Sequence, residues 1–306
     1  MRATHGVLKY WQEGGAPRVA HALRRGAESR VVGVLFTLLS PLVYETARLF
    51  LNLGYWPHIE HPRSFNEKVM HRILFNPHPL SHIVADKWRV REYVESKGLK
   101  EILNDAFYAG DDPDEIPFED LPDRFVIKAN HGSRWNMFVR DKELVNSAEI
   151  EEQCKKWLGQ RWSVTAHSHE KHYDTIPPKI IVERYIEDNE YGFPLDYKFF
   201  CFHGKVHFIR VFFGRHRDKK VLTLDASWQV MDIMREPAYL GSAEVPSHLE
   251  EMIRVAECLS ADFDFIRVDL YSPDDAKIVF GELTLSPANA NVRLRRECDF
   301  KMGKLW

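Results

Sequence analysis

Two carboxylates and an arginine near the C-terminus have the types and spacing needed to bind a metal ion. Asp269 follows Arg267 by two residues, and Glu282 comes thirteen residues after Asp269. Residues 266–271 and 278–285 are rich in aliphatic side chains, and the turn sequence Ser-Pro-Asp-Asp-Ala-Lys separates them. We therefore expect a hairpin of two strands, in which alternation places Arg267 and Asp269 on one face.

Plausible registers of this hairpin set Asp269 and Glu282 opposite each other or one diagonal step apart. Alternation also places Thr284 and Phe280 on the face that bears Glu282. Two carboxylates on one face suit Mg²⁺, which is usually held by one or two carboxylates together with substrate phosphates. The alternative is an ordinary cross-strand salt bridge between Arg267 and Glu282.

Two lysines lie where they could neutralise phosphate groups. Lys128 ends an apolar strand predicted at 124–128, and a loop that contains Gly132 and Ser133 follows it. Backbone N–H groups of such a loop can wrap a phosphate while the lysine supplies charge, although the sequence matches neither a P-loop nor a dinucleotide-binding fingerprint. Lys87 begins a basic helical face, for which a solvated surface is the alternative.

A further strand, predicted at 180–185, contains Glu183 and leads to Glu187. Its carboxylate and backbone edge could bind an adenine, and the second carboxylate could bind a ribose. The alternative is a core strand that runs into a solvated turn.

The elements around these residues are isolated helices and antiparallel hairpins. Ser64 and Glu67 form a capping box that predicts a helix to about Leu74, and a second helix is expected from about 79 to 97. The other expected elements are helices at 147–160 and 246–260 and strands at 124–128, 180–185, 197–202, 206–213, 266–271 and 278–285. This arrangement predicts an α+β architecture rather than a repeated βαβ unit.

The composition is that of a globular protein, with 44% hydrophobic and 28% charged residues. A formal net charge of −3 gives no reason to expect nucleic acid as a partner. The four cysteines lie far apart and form no metal-binding or disulfide pattern, which fits a cytoplasmic protein in a reducing environment. The acidic, proline-rich segment 110–123 is the expected boundary between lobes.

Residues 31–44 carry no charge, and Arg24, Arg25 and Arg30 precede them. They are too few for a membrane-spanning helix, which needs about 20 residues. One interpretation is a buried helix that packs against a domain. The other is an amphipathic anchor at the membrane surface, which would place the protein on the inner face of the cell membrane.

Two other motifs suggest different chemistry. His167, His169 and His172 have a spacing that can bind a transition metal, although they lie in a loop rich in Ser, Thr, His and Lys. The Asp-x-Asp sequences at 112–114 and 262–264 resemble a glycosyltransferase motif that is common by chance.

The order of the lysine, glutamate and aspartate motifs resembles the ATP-grasp superfamily. It is most similar to the TupA-like branch, which is associated with teichuronopeptide and other cell-surface polysaccharide synthesis. The resemblance runs from about residue 60 to the end of the sequence. Six blocks carry it: 64–68 (SFNEK), 86–94 (DKWRVREYV), 121–133 (LPDRFVIKANHGS), 196–205 (DYKFFCFHGK), 265–271 (FIRVDLY) and 281–284 (GELT).

This resemblance implies an ATP-grasp fold in which two α+β lobes clasp ATP. A helical N-terminal extension would occupy residues 1–55, and a helical region at 56–120 would precede the ATP-grasp domain. The ATP-grasp domain would span 121–306, with an ATP-clasping lobe at 121–187 and a metal and catalytic lobe at 188–306.

The resemblance also implies a role for each site residue. The implied nucleotide-binding residues are Lys87 and Lys128 for the phosphates, Gly132 and Ser133 for the loop over them, Glu183, Tyr185 and Ile186 for adenine, and Glu187 for the ribose. Lys198 would face the γ-phosphate, and Arg267 the phosphoryl group in transfer. Asp269, Glu282 and Thr284 would bind Mg²⁺.

The sequence departs from the family pattern at three places. Arg134 stands where the loop usually has glycine. Thr284 stands where many ATP-grasp enzymes have a metal-binding asparagine, so its hydroxyl, Asn289 or Asn291 would complete the metal site. Residues 288–296 lack the glycines expected near the acceptor pocket.

The implied reaction is an ATP-dependent ligation. ATP phosphorylates a carboxylate, an amine attacks the acylphosphate, and phosphate leaves. The expected product is an amide between an amino acid or peptide and a glycan that bears uronic acid. The alternatives are a glycan kinase, which would need the same ATP site, a glycosyltransferase, and a nucleotide-binding module without chemistry.

Overall fold

The computed structural model describes residues 31–187, 194–213, 220–235 and 241–306. The chain divides into two compact units, residues 1–48 and 49–306. Residues 31–38 are helical. A second helix, α1 (Pro41–Leu53), continues past the boundary at residue 48 and begins at a proline, whose fixed φ suits the first turn of a helix.

The apolar segment at 31–44 is therefore two helical stretches rather than one. Val31, Val34 and Leu38 are each more than half exposed. Among the described residues, none of the helices combines the length and the apolar character needed to cross a bilayer. Association with a membrane surface stays a prediction.

Two antiparallel sheets form the centre of the second unit. The first sheet has the strand order β1-β4-β2-β3, with β1 Ala106–Gly110, β2 Phe125–Ala129, β3 Asn136–Val139 and β4 Ile180–Arg184. The second has the order β7-β6-β5-β8-β9, with β5 Asp196–Phe202, β6 Lys205–Phe213, β7 Lys220–Leu224, β8 Phe265–Tyr271 and β9 Val279–Thr284. The helices of this unit are α2 Phe65–Leu74, α3 Ser81–Val84, α4 Val90–Ser96, α5 Ser147–Leu158, α6 Trp162–Ala166, α7 Leu249–Ser260 and α8 Arg296–Gly303.

Each sheet buries one face under a helix. Helix α7 buries Met252, Ala256 and Leu259, whose spacing is that of one helical face, in a core with side chains of the second sheet that include Phe199 and Val268. Helix α5 forms the corresponding core with the first sheet. The opposite face of the second sheet bears polar side chains over one part, and we call that part the site face. Elsewhere on the same face, Phe200 and Phe265 pack against Phe65 of α2.

The capping box that begins α2 is confirmed. The Ser64 hydroxyl accepts a hydrogen bond from the backbone N–H of Glu67, and the Glu67 carboxylate accepts one from the backbone N–H of Ser64 at 2.9 Å. These two hydrogen bonds satisfy backbone N–H groups at the start of the helix that have no partner within the helix.

The helix predicted from 79 to 97 is wrong in its middle, where the structure has a turn between α3 and α4. The Asp86 carboxylate accepts hydrogen bonds from the backbone N–H groups of Trp88 and Arg89. A short acidic side chain that bonds its own backbone in this way competes with a continuous helix.

The expectation that residues 56–120 are helical is also wrong at β1, which pairs with β4. Strand β1 is only partly buried along its whole length, so it lacks the alternation that reveals a strand in sequence. Strands β3 and β7, at the sheet edges, were not predicted either. The lobe limits stay a prediction, with β1 added to the strands of the first lobe.

Candidate active site

A row of charged residues crosses the site face of the second sheet. Lys198 on β5 pairs in register with Asp269 on β8, and Asp269 pairs with Glu282 on β9. Directly paired residues share a face and have Cβ atoms about 5 Å apart. The predicted juxtaposition of Asp269 and Glu282 is therefore confirmed, in the directly opposed register.

A β-bulge at Gly281 corrects one part of the sequence prediction. The register shifts between Asp269 and Leu270, so that Leu270 pairs with Phe280. A Cβ atom on Gly281 would lie 2.9 Å from the backbone oxygen of Asp269, so the bulge requires glycine. Phe280 is buried in the core under α7, and the prediction that it shares a face with Glu282 is wrong because the extra residue breaks the alternation.

Arg267 holds the two carboxylates together. Its Nε lies 2.6 Å from Asp269 Oδ1 and its Nη2 lies 2.7 Å from Asp269 Oδ2. The same Nη2 lies 2.6 Å from Glu282 Oε1, and the Thr284 hydroxyl donates to that oxygen at 2.8 Å. The salt bridge considered as an alternative is thus present, and it uses the oxygens that would bind a cation.

The donor set fits Mg²⁺. Asp269 and Glu282 supply hard oxygen donors side by side, and Thr284 adds a hydroxyl next to them. Within the part of the chain that the structure describes, no group of three or more His, Cys, Asp or Glu side chains could hold a metal ion. A cation here would therefore need oxygens from its substrate, as Mg²⁺ does when it bridges nucleotide phosphates.

The pKa values of the two carboxylates are shifted in opposite directions. The Glu282 side chain is 48% exposed. Loss of hydration would raise its pKa, but Arg267 and Lys198 outweigh that effect and hold the value at about 2. Burial raises the pKa of Asp269, against the lowering by Arg267 and by Lys198, whose ammonium group contacts it directly. Lys198 also lies 3.0 Å from Asp196.

A cavity of about 320 Å³ lies between the two sheets, beside this row. Its walls bring together most of the predicted site residues: Lys87, Lys128, Ser133, Tyr185, Ile186, Lys198, Asp269 and Glu282. Sequence reasoning missed other lining residues, including the aromatic side chains of Phe138 and Tyr271. The apolar and aromatic part of the wall suits the flat base of a nucleotide, and the charged part suits its phosphates.

Lys87 is a partly buried residue of the turn that precedes α4, so the alternative that it belongs to a solvated helical face is wrong. Its ammonium group donates to the carbonyl oxygen of Gly132. Burial lowers the pKa of Lys87 to about 8; Glu282 opposes the shift and Lys128 adds to it. The lysine is thus tied to the loop that was predicted to cover phosphates.

In the loop after β2, one residue other than glycine has a backbone conformation that glycine usually provides. Arg134 has a φ of +63°, in the left-handed region that favours glycine. The family's glycine therefore marks a conformation that Arg134 adopts here. A Cβ atom on Gly132 would lie 2.7 Å from the ring of Trp135, so this position has no room for a side chain.

The two glutamates predicted to bind adenine and ribose lie in different settings. The Glu183 carboxylate is buried and contacts Lys128 Nζ at 2.6 Å, with Arg91 at 3.9 Å. Glu187 is half-exposed and pairs with Arg124 at 2.6 Å. Their roles toward a nucleotide stay predictions.

The competing motifs have structural roles. Asp262 pairs with Lys97 at 2.7 Å and Asp264 pairs with Arg72, while Asp112 caps a turn by accepting from the backbone N–H of Asp114. These partners explain both Asp-x-Asp sequences without a metal. Burial lowers the pKa of His172 to about 4, and its ring lies against Tyr173.

Two antiparallel sheets that face a cavity lined by lysines and carboxylates form the ATP-grasp fold. The family model described as TupA-like ATPgrasp matches residues 67–306. The chain therefore belongs to the TupA-like ATP-grasp family, and the resemblance inferred from sequence is confirmed.

Several solved structures are similar to this chain. D-alanine–D-alanine ligase from Bacillus anthracis, complexed with ATP, is 16% identical and has a TM-score of 0.42; the match covers 66% of this chain and 55% of that one. D-cycloserine synthetase DcsG is 14% identical with a TM-score of 0.44, over 74% of this chain and 71% of that one. N5-carboxyaminoimidazole synthase from Aspergillus clavatus, in complex with ADP and 5-aminoimidazole ribonucleotide, is 15% identical and has a TM-score of 0.41; the match covers 66% of this chain and 44% of that one.

The matched part of this chain thus spans about half the length of the first of these proteins. No curated protein matches it significantly.

Proposed function

We propose that this protein is an ATP-dependent carboxylate–amine ligase that works through an acylphosphate. The observation that carries the proposal is the direct pairing of Asp269 with Glu282 beside a cavity that also exposes Lys87, Lys128 and Lys198. Such a site can hold a cation and a polyphosphate at once. Membership of the ATP-grasp family supports ATP as the source of the phosphoryl group.

In this proposal, adenine occupies the end of the cavity lined by Phe138, Tyr185 and Ile186, and Glu183 and Glu187 contact the nucleoside. The contact between Glu183 and Lys128 also supports a positioning role, because a buried carboxylate at 2.6 Å fixes the position of the lysine ammonium group. Lys128 and Lys87 bind the phosphates, and the loop at Gly132 and Ser133 covers them.

Mg²⁺ would be held by Asp269, Glu282 and Thr284, and it would supply positive charge to the phosphates during transfer. Arg267 and Lys198 add charge from the protein on the same face. Because Arg267 is fixed by two carboxylates, it needs little rearrangement to stabilise charge that develops in the transition state.

The chemistry proceeds in two steps. An oxygen of the substrate carboxylate attacks the γ-phosphorus, the bond to the bridging oxygen breaks, and ADP leaves. An amine then attacks the acyl carbon and loses a proton, and the bond to the phosphate oxygen breaks. Activation is required because a free carboxylate would have to expel hydroxide or oxide.

We further propose that the carboxylate belongs to a uronic-acid-containing cell-surface polysaccharide or its precursor, and that the amine belongs to an amino acid or peptide. The reaction would take place in the cytoplasm, where ATP is available. The exposed apolar side chains at 31–38, preceded in sequence by Arg24, Arg25 and Arg30, support contact with the inner surface of the cell membrane.

The test is a mass-spectrometric screen of amino acids against uronic-acid oligosaccharides with ATP and Mg²⁺. The expected result is a condensation product together with ADP and phosphate. A product that gains only a phosphoryl group would instead make the protein a glycan kinase. Sugar transfer from a nucleotide sugar with ATP unused would contradict the proposal.

A further inference from the structure

Arg210 extends the charged row beyond the residues assigned so far. It lies on β6, where it pairs in register with Lys198 on one side and with Thr223 on the other. The row therefore runs Glu282, Asp269, Lys198, Arg210, Thr223 across five strands. All of these side chains share the site face, because paired residues point the same way.

Arg210 has no anionic partner among the described residues. Its Nε is buried and has no hydrogen-bond partner in the described part of the chain. Its guanidinium carbon lies 5.3 Å from the ring centre of Phe212. Loss of hydration and, to a smaller extent, the charge of Arg267 lower the pKa of Arg210 to about 10, and no described carboxylate raises it.

Thr223, the next member of the row, is also left without a partner. It is fully buried, and its hydroxyl makes no hydrogen bond within the described residues. Buried polar groups are normally satisfied. Two neighbouring exceptions on one face indicate a place where another molecule completes the hydrogen bonds.

Two other arginines of this unit differ from Arg210. Arg72 is held by Asp264, and Arg267 is held by Asp269 and Glu282. A guanidinium that is partly withdrawn from water without a counter-ion is destabilising, so the contacts among the described residues give no structural reason to keep Arg210. A ligand that brings negative charge would supply that reason.

We propose that Arg210 binds the substrate carboxylate that receives the phosphoryl group, with the fully buried Thr223 next to it in the row as a positioning residue; this inference rests on the proposed function. Neighbouring strands lie about 4.8 Å apart, so Arg210 is one strand beyond Lys198 and two strands, about 10 Å, from Asp269. An anion held there lies next to a γ-phosphoryl group that faces Lys198. The planar guanidinium can grip a carboxylate through two parallel hydrogen bonds.

In the first step, one carboxylate oxygen attacks the γ-phosphorus while the other stays on Arg210. After transfer, the second oxygen is the carbonyl oxygen of the acylphosphate. It becomes negative again when the amine attacks, and Arg210 then stabilises this tetrahedral oxyanion until phosphate leaves.

The test compares thermal unfolding of the wild-type chain with that of R210M, R210K and T223V. The control is K205M, which changes an exposed lysine on the same strand. Each protein is measured alone, with sodium glucuronate, with glucose plus sodium chloride at the same ionic strength, and with inorganic phosphate. ADP with Mg²⁺ is measured separately, because it reports on the nucleotide site alone.

We expect R210M to unfold roughly 2–4 °C above the wild type when no ligand is present, since an apolar side chain removes a partly buried charge that has no counter-ion among the described residues. Glucuronate should raise the midpoint of the wild type and of K205M. It should raise that of R210M not at all, and those of R210K and T223V by less than half as much. The shift caused by ADP and Mg²⁺ should be the same in every protein.

An R210M chain that unfolds at a lower temperature than the wild type would give Arg210 a structural role and overturn the proposal. So would a glucuronate-induced rise that is equal in R210M and wild type, or absent in wild type. A larger shift with phosphate than with glucuronate would assign Arg210 to phosphate instead. If ADP with Mg²⁺ does not raise the unfolding midpoint of the wild type while glucuronate has the expected effects, the proposed nucleotide site is overturned and the anion site is supported.

Discussion

The two ends of the charged row on the second sheet differ in how their charges are satisfied. At one end, Asp269 and Glu282 are neutralised by Arg267, and Lys198 contacts Asp269. At the other end, the Arg210 Nε and the Thr223 hydroxyl are buried and have no hydrogen-bond partner among the described residues. At the first end, the carboxylates are neutralised within the protein, and a metal ion can replace the contacts that Arg267 and Lys198 make with them. The second end is incomplete without an anion.

This difference assigns a direction to the site. The metal and the nucleotide belong where carboxylates and lysines alternate, and the second substrate belongs where only positive charge remains. We expect the largest effects from substitutions at the first end and smaller effects from substitutions around it.

D269N should lower turnover by about 10³-fold or more, because the amide removes a negative charge from the cation site and leaves Arg267 and Lys198 without their shared partner. ADP release by coupled assay measures the loss, and far-ultraviolet circular dichroism checks the fold. E257Q is the control, since Glu257 pairs with exposed Lys205 and accepts a hydrogen bond from the backbone N–H of Val206. Activity within tenfold of wild type would remove Asp269 from the metal site.

G281A should disturb the same end through the backbone. Its Cβ atom would lie 2.9 Å from the Asp269 carbonyl oxygen, so the bulge must shift. We expect a loss of about 1–3 kcal/mol in stability and weaker Mg²⁺-dependent binding of ADP. G159A serves as a comparison, since a Cβ atom there comes no closer than 3.7 Å to a neighbour. Equal behaviour of the two variants would mean that the bulge does not set the distance between Asp269 and Glu282.

Lys87 gives the site a dependence on pH. Its pKa is lowered from 10.5 to about 8, so it loses its charge at a lower pH than a free lysine does. ADP should bind with constant affinity below pH 8 and weaken above it, by at most tenfold per pH unit. Titration calorimetry from pH 6.5 to 9.5 measures this.

K87R is the control for that series, because arginine stays charged throughout. Its affinity should be flat over the same range. A parallel decline in wild type and K87R would show that another group causes the effect.

E187Q should have the smallest effect, less than about threefold on the KM for ATP, if Glu187 acts mainly through its exposed pair with Arg124. R124Q should then change KM by the same small factor. A tenfold increase in E187Q alone would support the predicted contact with the ribose.

Local patterns predicted the parts of the fold that depend on neighbours in sequence. The Ser64 capping box and the pairing of Asp269 with Glu282 both follow from short-range rules. Strand β1 was missed because its partner β4 is distant in sequence. The short edge strands β3 and β7 pair with the strands just before them, but a few residues give too little alternation to be recognised. The face of Phe280 was missed because nothing in the sequence marks the single-residue bulge except Gly281.

The site divides in the same way. Lysines, carboxylates and Arg267 were predicted from motif order, and the cavity brings most of them together. Arg210 was not predicted, because it occurs in an ordinary strand sequence and becomes unusual only through what surrounds it. Its alternation with buried Ile209 and Val211, one strand after Lys198, is the one signal that could have placed it on the site face.

The most direct test of the nucleotide and metal site is the Mg²⁺ dependence of ADP binding, measured by titration calorimetry for wild type and E282Q. The wild type should bind ADP at least tenfold more tightly with Mg²⁺ than with EDTA, and E282Q should lose that difference while it retains the metal-free affinity. Equal affinity with and without Mg²⁺ in the wild type, or an unchanged Mg²⁺ effect in E282Q, would contradict the assignment of Asp269 and Glu282 to a metal beneath the phosphates of ATP.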